Sequence, residues 1–420
     1  MLIKNAKINT EKNNTEIVDI LIKNGKIVKI DREISYEGNV IDAKERLVLP
    51  GGIDVHVHLR EPGFEEKETI KTGSMAAAAG GYTTIMPMPN LNPHPDNIET
   101  IETYLQKIKE DSVINVIPYS CITMKSLGNN LVDMKGIYDK FQLRFFTDDG
   151  VGVQNDEMME SAMKESKKIN GIIAAHTEDM SYRKPDSSVH DGENAKKHGW
   201  IGIPSETEYK QVERDLELSR RTGAKYHICH MSAKESVDAL RKYKKMGADV
   251  SGEVTIHHLL LTEDDVVNTN FKMNPPLRTS KDRDSLIKGL IDGTIDFLAN
   301  DHAPHLEEEK ARDMGKAPFG IVTIENAIPL FYTHFVKTGI IDLETFIKLI
   351  STKPAERFGF DNKGKIEVGY DADLVIYEEK EYVIDKSKFY SKGKNTPFDG
   401  WKCYMVPYKT IVNGKVVFGS

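Results

Sequence analysis

Eight short apolar runs recur along the middle of the chain, at 52–58, 81–86, 113–119, 143–147, 171–176, 225–230, 248–254 and 295–300. Stretches of helical period separate most of them, at 66–79, 97–109, 155–168, 205–222, 232–246 and 282–290, with a weaker one near 130–140. Eight strand–helix units in series predict a (β/α)8 barrel, an α/β fold of TIM type whose strands all open on one face. A doubly wound open sheet is the competing solution. The chain has neither G-x-G-x-x-G nor G-x-x-x-x-G-K-[ST] to serve it.

The residues able to do chemistry sit at the ends of those runs. His56 and His58 end the first, Asp148 and Asp149 follow the fourth, His176 ends the fifth, His230 ends the sixth and Asp301 follows the eighth. In a barrel all these ends meet at one mouth, where such folds keep their active sites. On an extended chain His56, His58 and Arg60 face one way and Val55 and Val57 the other, so the two imidazoles can hold one ion. Four His and two Asp can hold two divalent ions, with nitrogen and oxygen ligands suited to zinc. Such a pair needs an anionic bridge, shares a hydroxide and makes it available near neutral pH. Asp148 and Asp149 are neighbours and point opposite ways, so only one can bridge, and spacing does not choose between them. His227 and His230 pose the same question, and the place nearer the strand end favours His230. Asp301, beside the ions, is placed to take a proton from the attacking hydroxide and deliver it to a leaving nitrogen.

Both ends of the chain read as strands. Residues 20–23 and 26–30 flank Asn24-Gly25, and 410–412 and 415–418 flank Asn413-Gly414, each a hairpin signal; 372–377 is a further strand. The two ends are expected to combine into one small β domain, residues 1–50 plus 362–420. A metal-dependent barrel over 51–361 would be inserted between them. The chain of 420 residues has room for both.

The formal net charge is −8, and no basic patch appears, which argues against a nucleic-acid partner. An anionic substrate would be attracted locally, by the ions or by placed Arg residues. Cys121, Cys229 and Cys403 are widely spaced with no C-x-x-C, which argues for a reducing cytosol and against disulfides or a thiolate zinc site. The first residues carry Lys and no signal-peptide core, and no apolar run approaches the ~18 residues of a membrane span. A cytoplasmic protein without a membrane segment is expected.

Several ordered blocks carry a resemblance. DVHVHLREPG (54–63), MPN (88–90), FFTDDGVGVQ (145–154), AAHTED (174–179), HICHMS (227–232), EVTIHHL (253–259), FKMNPPLR (271–278), NDHAPH (300–305) and APFG (317–320) resemble the bacterial type I dihydroorotases of the amidohydrolase superfamily. The match runs almost end to end. The resemblance implies a zinc hydrolase of cyclic amides with two Zn2+ per subunit. Its reaction is the reversible cyclisation of N-carbamoyl-L-aspartate to L-dihydroorotate in pyrimidine biosynthesis, by a zinc-bound hydroxide. Carried over position by position, it implies metal ligands at His56, His58, Asp149, His176, His230 and Asp301, with Asp301 also the general acid/base. It thereby chooses Asp149 over Asp148. It implies substrate contacts at His58, Arg60, Asn90, Asn274, His305, Phe319 and Gly320. Arg60 suits a two-point grip on the substrate α-carboxylate, and the two Asn side chains suit a group that both donates and accepts. A homodimer and an association with aspartate transcarbamoylase are the partner expectations beside the small-molecule substrate.

Leu91, Ile256 and Asn300 stand where Thr, Pro and Thr are common in the family, and none of these changes removes a ligand. Hydantoinases and allantoinases are the nearest rivals. They usually bridge their metals with a carboxylated Lys on the fourth strand, and 143–149 contains no Lys. Residues 302–320 form a charged loop expected either to cover the substrate or to lie solvated. His257 and His258 are given a supporting role, and His94, His190 and His198 are expected to be exposed in loops.

Overall fold

The structure, a computed structural model, describes residues 1–419. Eight parallel strands surround a buried centre: β1 Gly52–Val57, β2 Tyr82–Pro87, β3 Asn115–Val116, β4 Phe145–Phe146, β5 Ile172–Ala175, β6 Lys225–Ile228, β7 Val250–Thr255 and β8 Phe297–Ala299. They pair as two arcs, β1–β2–β3 and β4–β5–β6–β7–β8. Single parallel bridges join the arcs, Ser120 to Phe146 between β3 and β4, and Val57 to His302 between β8 and β1. The sheet is thereby closed, and β1 is buried at every position, as a parallel strand covered on both faces must be.

Among the described residues, seven helices of eight residues or more lie between these strands: α1 Ile70–Gly80, α2 Ile98–Asp111, α3 Met134–Phe141, α4 Asp156–Lys168, α5 Glu206–Thr222, α6 Lys234–Lys245 and α7 Ser280–Ile291. Five of them, α1 to α4 and α7, start at a residue whose side chain caps the first turn, Thr69, Asn97, Asp133, Asn155 and Thr279. In α2 the Asn97 side chain accepts from the Glu99 and Thr100 amides, and Ile101, Tyr104 and Ile108 give the buried stripe. Gly81 ends α1 in the left-handed region (φ 91°), and a Cβ there would overlap the Tyr377 hydroxyl.

Two differences from the sequence reading have physical causes. Strands β3 and β4 are shorter than the runs that contain them. Pro118 has no N–H to give the β3 ladder, although Ile117 and Tyr119 still donate to Ile85 and Pro87 of β2. The region after β8, which periodicity leaves unassigned, holds helices Ala327–Phe331, Leu343–Ile347 and Lys353–Phe358, the first two continued by π-helical turns. Ala327 to Phe331 are all buried, so no polar face marks this helix in the sequence. Phe358 from the last helix packs inside the barrel against Phe145, Tyr119 and Phe297.

Strands from both ends of the chain form one eight-stranded sheet, in the order 415–418, 402–412, 374–383, 47–50, 2–11, 14–23 and 26–31, with 40–42 also paired to 2–11. Strand Leu47–Pro50 joins the two ends, antiparallel to Leu374–Val383 and parallel to Leu2–Glu11. Ile3, Ile20, Val48, Leu374, Ile376 and Ile411 form its separate core. Among the described residues no helix is long and apolar enough to cross a membrane.

Candidate active site

The pleat of β1 carries His56 and His58 to the same side, as their spacing predicts, and both are buried. Asp149, from the turn after β4, stands between them. Its Oδ1 lies 3.5 Å from His56 Nε2 and 3.8 Å from both His176 Nδ1 and His230 Nε2, while its Oδ2 lies 3.5 Å from His58 Nε2. Asp301 Oδ1 faces His58 Nε2 at 3.1 Å and His56 Nε2 at 3.5 Å. His176 Nδ1 and His230 Nε2 approach to 3.0 Å. Arg60, His230 and Asp301 all turn out of their strands with positive φ (63°, 34° and 48°). Such conformations cost about 1–3 kcal/mol each and persist only where the surroundings enforce them.

His56, Asp149 and His230 form one group with ligand atoms close enough to share an ion, and His56, His58 and Asp301 form a second. His56 Nε2 and Asp149 Oδ1 are buried without any hydrogen-bond partner although they face each other. Leaving such atoms unsatisfied costs about 1–3 kcal/mol each, which a cation between them would remove. Burial would push the Asp149 and Asp301 carboxyls up, but the surrounding imidazoles outweigh it and hold both well below the usual carboxylate range. The donor set, imidazole nitrogen with ionised carboxylate, therefore fits a divalent metal. In a third grouping, His56, Cys229 and Glu253, the carboxylate is already engaged, its Oε1 2.7 Å from His56 Nδ1 and its Oε2 2.9 Å from His227 Nε2.

The geometry distinguishes the paired candidates. Asp148 turns away and accepts from the Ile122 and Thr123 amides, at 2.8 and 3.1 Å, and from the Thr123 hydroxyl. His227 turns into the barrel, hydrogen-bonded to Ser251 Oγ at 2.8 Å and Glu253 Oε2 at 2.9 Å, with its ring on Phe297.

A cavity of about 380 Å³ opens above this cluster. Of the residues expected in the site, all but His56 line it, together with Gly150, Arg183 and Ala303. Arg60 lies at its side, its Nε donating to Pro304 O at 3.2 Å and its Nη2 3.2 Å from His305 Nε2. Burial and the Arg60 charge bring the His305 imidazole down to about 3, so it stays neutral. Asn90 Nδ2 donates to Asp149 O at 2.7 Å, and Asn274 Nδ2 donates to Glu178 Oε2 at 3.0 Å.

Three functional-looking residues escape the sequence reading. Glu253, on β7, is wholly buried and bonds His56 Nδ1 at 2.7 Å, His227 Nε2 at 2.9 Å and the His230 amide at 3.2 Å. Glu178 supports His176 Nε2 at 3.2 Å and pairs with Arg183, which itself faces the cavity. A carboxylate inside an apolar strand, and another two residues beyond His176, were the available signals. Residues 302–320 combine both expectations: 307–308 and 311–313 are exposed, while the segment is braced as a wall by Lys310 Nζ, which is buried and donates to the carbonyls of Lys272, Pro318 and Gly320 at 3.3, 3.0 and 2.9 Å. His190, expected in solvent, is buried, and its Nδ1 lies 3.3 Å from Arg278 Nη1.

A family model described as dihydro-orotase-like matches residues 45–236, and an amidohydrolase family model matches residues 335–418. The dihydroorotase of Bacillus cytotoxicus is 48% identical over 99% of this chain and 98% of its own. That of Shouchella clausii is 50% identical over 95% of this chain and 93% of its own. Among solved structures, the L-hydantoinase (dihydropyrimidinase) from Arthrobacter aurescens superposes with a TM-score of 0.89 at 25% identity, covering 99% of this chain and 95% of the other. With near full-length identity of this order and the His/Asp cluster at the barrel mouth, the chain belongs to the dihydroorotase family of metal-dependent amidohydrolases.

Proposed function

We propose that this chain is a dihydroorotase, interconverting N-carbamoyl-L-aspartate and L-dihydroorotate in pyrimidine synthesis. The observation that carries the reading is one cavity lined by both the His/Asp cluster and Arg60, so that an amide carbonyl and a carboxylate can be held in it together. His56, His58, Asp149, His176, His230 and Asp301 would hold two Zn2+ ions. When bound, the ions supply an activated water near neutral pH and polarise the reacting carbonyl.

The chain's own side chains do the rest. Arg60 grips the substrate carboxylate through two N–H groups, and Asn90, Asn274 and the Gly320 peptide orient the ring. His305, neutral beside Arg60, adds a hydrogen bond without adding charge, and Phe319 forms an apolar wall. In ring opening Asp301 takes the proton of the attacking water and delivers it to the leaving amide nitrogen. In ring closure it takes the proton from the ureido nitrogen and delivers it to the departing oxygen. Asp149 would help hold the ions at the place where the hydantoinases usually carry a carboxylated Lys.

Residues 1–50 with 362–420 form the small β domain of this proposal, and 51–361 the catalytic barrel. A homodimer, association with aspartate transcarbamoylase and a cytoplasmic location complete it. The test is an assay of purified, metal-analysed protein with carbamoyl aspartate and dihydroorotate, with dihydrouracil and hydantoin as controls. Turnover of the carboxylated pair alone, with about two metals per chain, is the expected result. Turnover of the uncarboxylated rings would move the protein to the hydantoinases and overturn the role of Arg60.

A further inference from the structure

One segment reaches the pocket wall from outside the barrel. It links strands Leu374–Val383 and Lys402–Val412 of the terminal sheet. Ser391 Oγ donates to Glu68 Oε2 at 2.5 Å. A Cβ on Gly393 would stand 2.7 Å from Pro304 Cβ and 2.8 Å from Val322 Cγ1, so only glycine lets the backbone come this near. Asn395 follows, with 4% of its surface exposed.

The Asn395 amide ties both edges of the 303–320 wall. Its Nδ2 donates to Ala303 O at 3.1 Å and to Gly320 O at 3.0 Å, and its Oδ1 accepts from His305 N at 3.2 Å. Its own carbonyl accepts from Val322 N at 3.0 Å. A planar amide with two donors and an acceptor fixes three peptide groups at once, which a hydroxyl or an apolar side chain does not. All three of those peptides, at Ala303, His305 and Gly320, belong to residues that line the cavity, and Pro304 O, between the first two, holds Arg60 Nε. The hydrogen bonds of Asn395 go to this wall and not to the His/Asp cluster.

We propose that Asn395 is a positioning residue for the substrate, setting the distance between the two edges of the wall and so the places of His305, Gly320 and Arg60. The terminal sheet thereby contributes to substrate recognition through its 384–401 excursion. Only the name of the substrate rests on the function proposed above.

The test uses the full-length, metal-loaded chain with Asn395→Asp, Asn395→Ala and Gly393→Ala. Asp keeps the acceptor for His305 N–H but loses both donors and sets a carboxylate against two carbonyls. In all three variants KM for carbamoyl aspartate is expected to rise about tenfold or more while kcat stays within about threefold, the signature of lost ground-state binding. Metal per chain stays at the wild-type value, and amide hydrogen exchange at 303–305 and 319–322 speeds up. An unchanged KM, or a fall in kcat and metal content at constant KM, overturns the proposal. If the wild-type chain does not turn over carbamoyl aspartate, the functional reading fails separately. Exchange rates of the wall then decide, and wild-type protection in the variants overturns the brace.

Discussion

Replacing Glu253 by Gln is expected to loosen the metal while leaving the chain folded. The carboxylate is buried and makes three hydrogen bonds, to His56 Nδ1, His227 Nε2 and the His230 amide. Burial would push its carboxyl up, but the charges and hydrogen bonds of His56 and His227 outweigh that and hold it at about 2. By accepting from Nδ1–H it leaves His56 Nε2 with its lone pair toward Asp149 and raises that nitrogen's basicity. Gln keeps the shape. Its carbonyl accepts from His56, and its amide donates to His227 once that ring moves its proton to the nitrogen facing Ser251 Oγ. What is lost is the charge. A hydrogen bond to a charged group is worth about 1.5–3 kcal/mol and a neutral one about 0.5–1.5, so about 1.5 kcal/mol goes. That is about tenfold in affinity, the lower end of the 10- to 100-fold range typical of such supporting carboxylates. Glu253→Ala is harsher, since it strands the His56 Nδ1–H and the His230 N–H at about 1–3 kcal/mol each. The assay is metal retained per chain against chelator concentration, paired with denaturant unfolding of the metal-free protein. A Gln variant that retains metal like the wild type would refute the tautomer argument. One as unstable as the Ala variant when metal-free would reduce Glu253 to a core contact.

Asp149→Asn is expected to strip the metal with little change in unfolding, whereas Asp148→Asn keeps the metal and loses about 1–2 kcal/mol of stability at the Ile122 and Thr123 amides. Metal analysis and denaturant melts on both proteins check this, and the reverse pattern would exchange their roles. Arg60→Met should weaken carbamoyl aspartate by about 2–5 kcal/mol, the usual loss when one member of a desolvated charge pair is removed. Steady-state kinetics decide it, and wild-type values would take Arg60 out of the carboxylate site. Burial pushes the Glu325 carboxyl up to about 7, against the Tyr390 and Ser391 amides that it accepts from. Its folded value is raised, so its contribution is fully present below the unfolded value of about 4.3 and is lost as pH rises through about 7. The ceiling of that loss is about 4 kcal/mol. Glu325→Gln should therefore flatten the decline of unfolding free energy between about pH 5 and about pH 8, and parallel declines in the two proteins would contradict it.

What the sequence made legible here is what is periodic or lies at a strand end. The pleat alone put His56 and His58 on one side of β1, and eight runs, five of them ending at or followed by His or Asp, announced a barrel mouth. Choosing between Asp148 and Asp149 needed more, because what turns Asp148 away is a pair of amides 25 and 26 residues upstream, at Thr123 and Ile122. Glu253 sits within a buried strand, where a search of strand ends passes it by. Asn395 is harder still. It belongs to a link between two strands of another sheet, and its partners are peptide groups at 303, 305 and 320, which carry no side-chain signature. The helices over 327–358 escaped for the opposite reason, being apolar all round at their start, so that no polar face revealed the period. The residues that touch metal or substrate are thus constrained by their own chemistry and show in the sequence. Those that hold them are constrained by distant backbone, which only the closed barrel brings within reach.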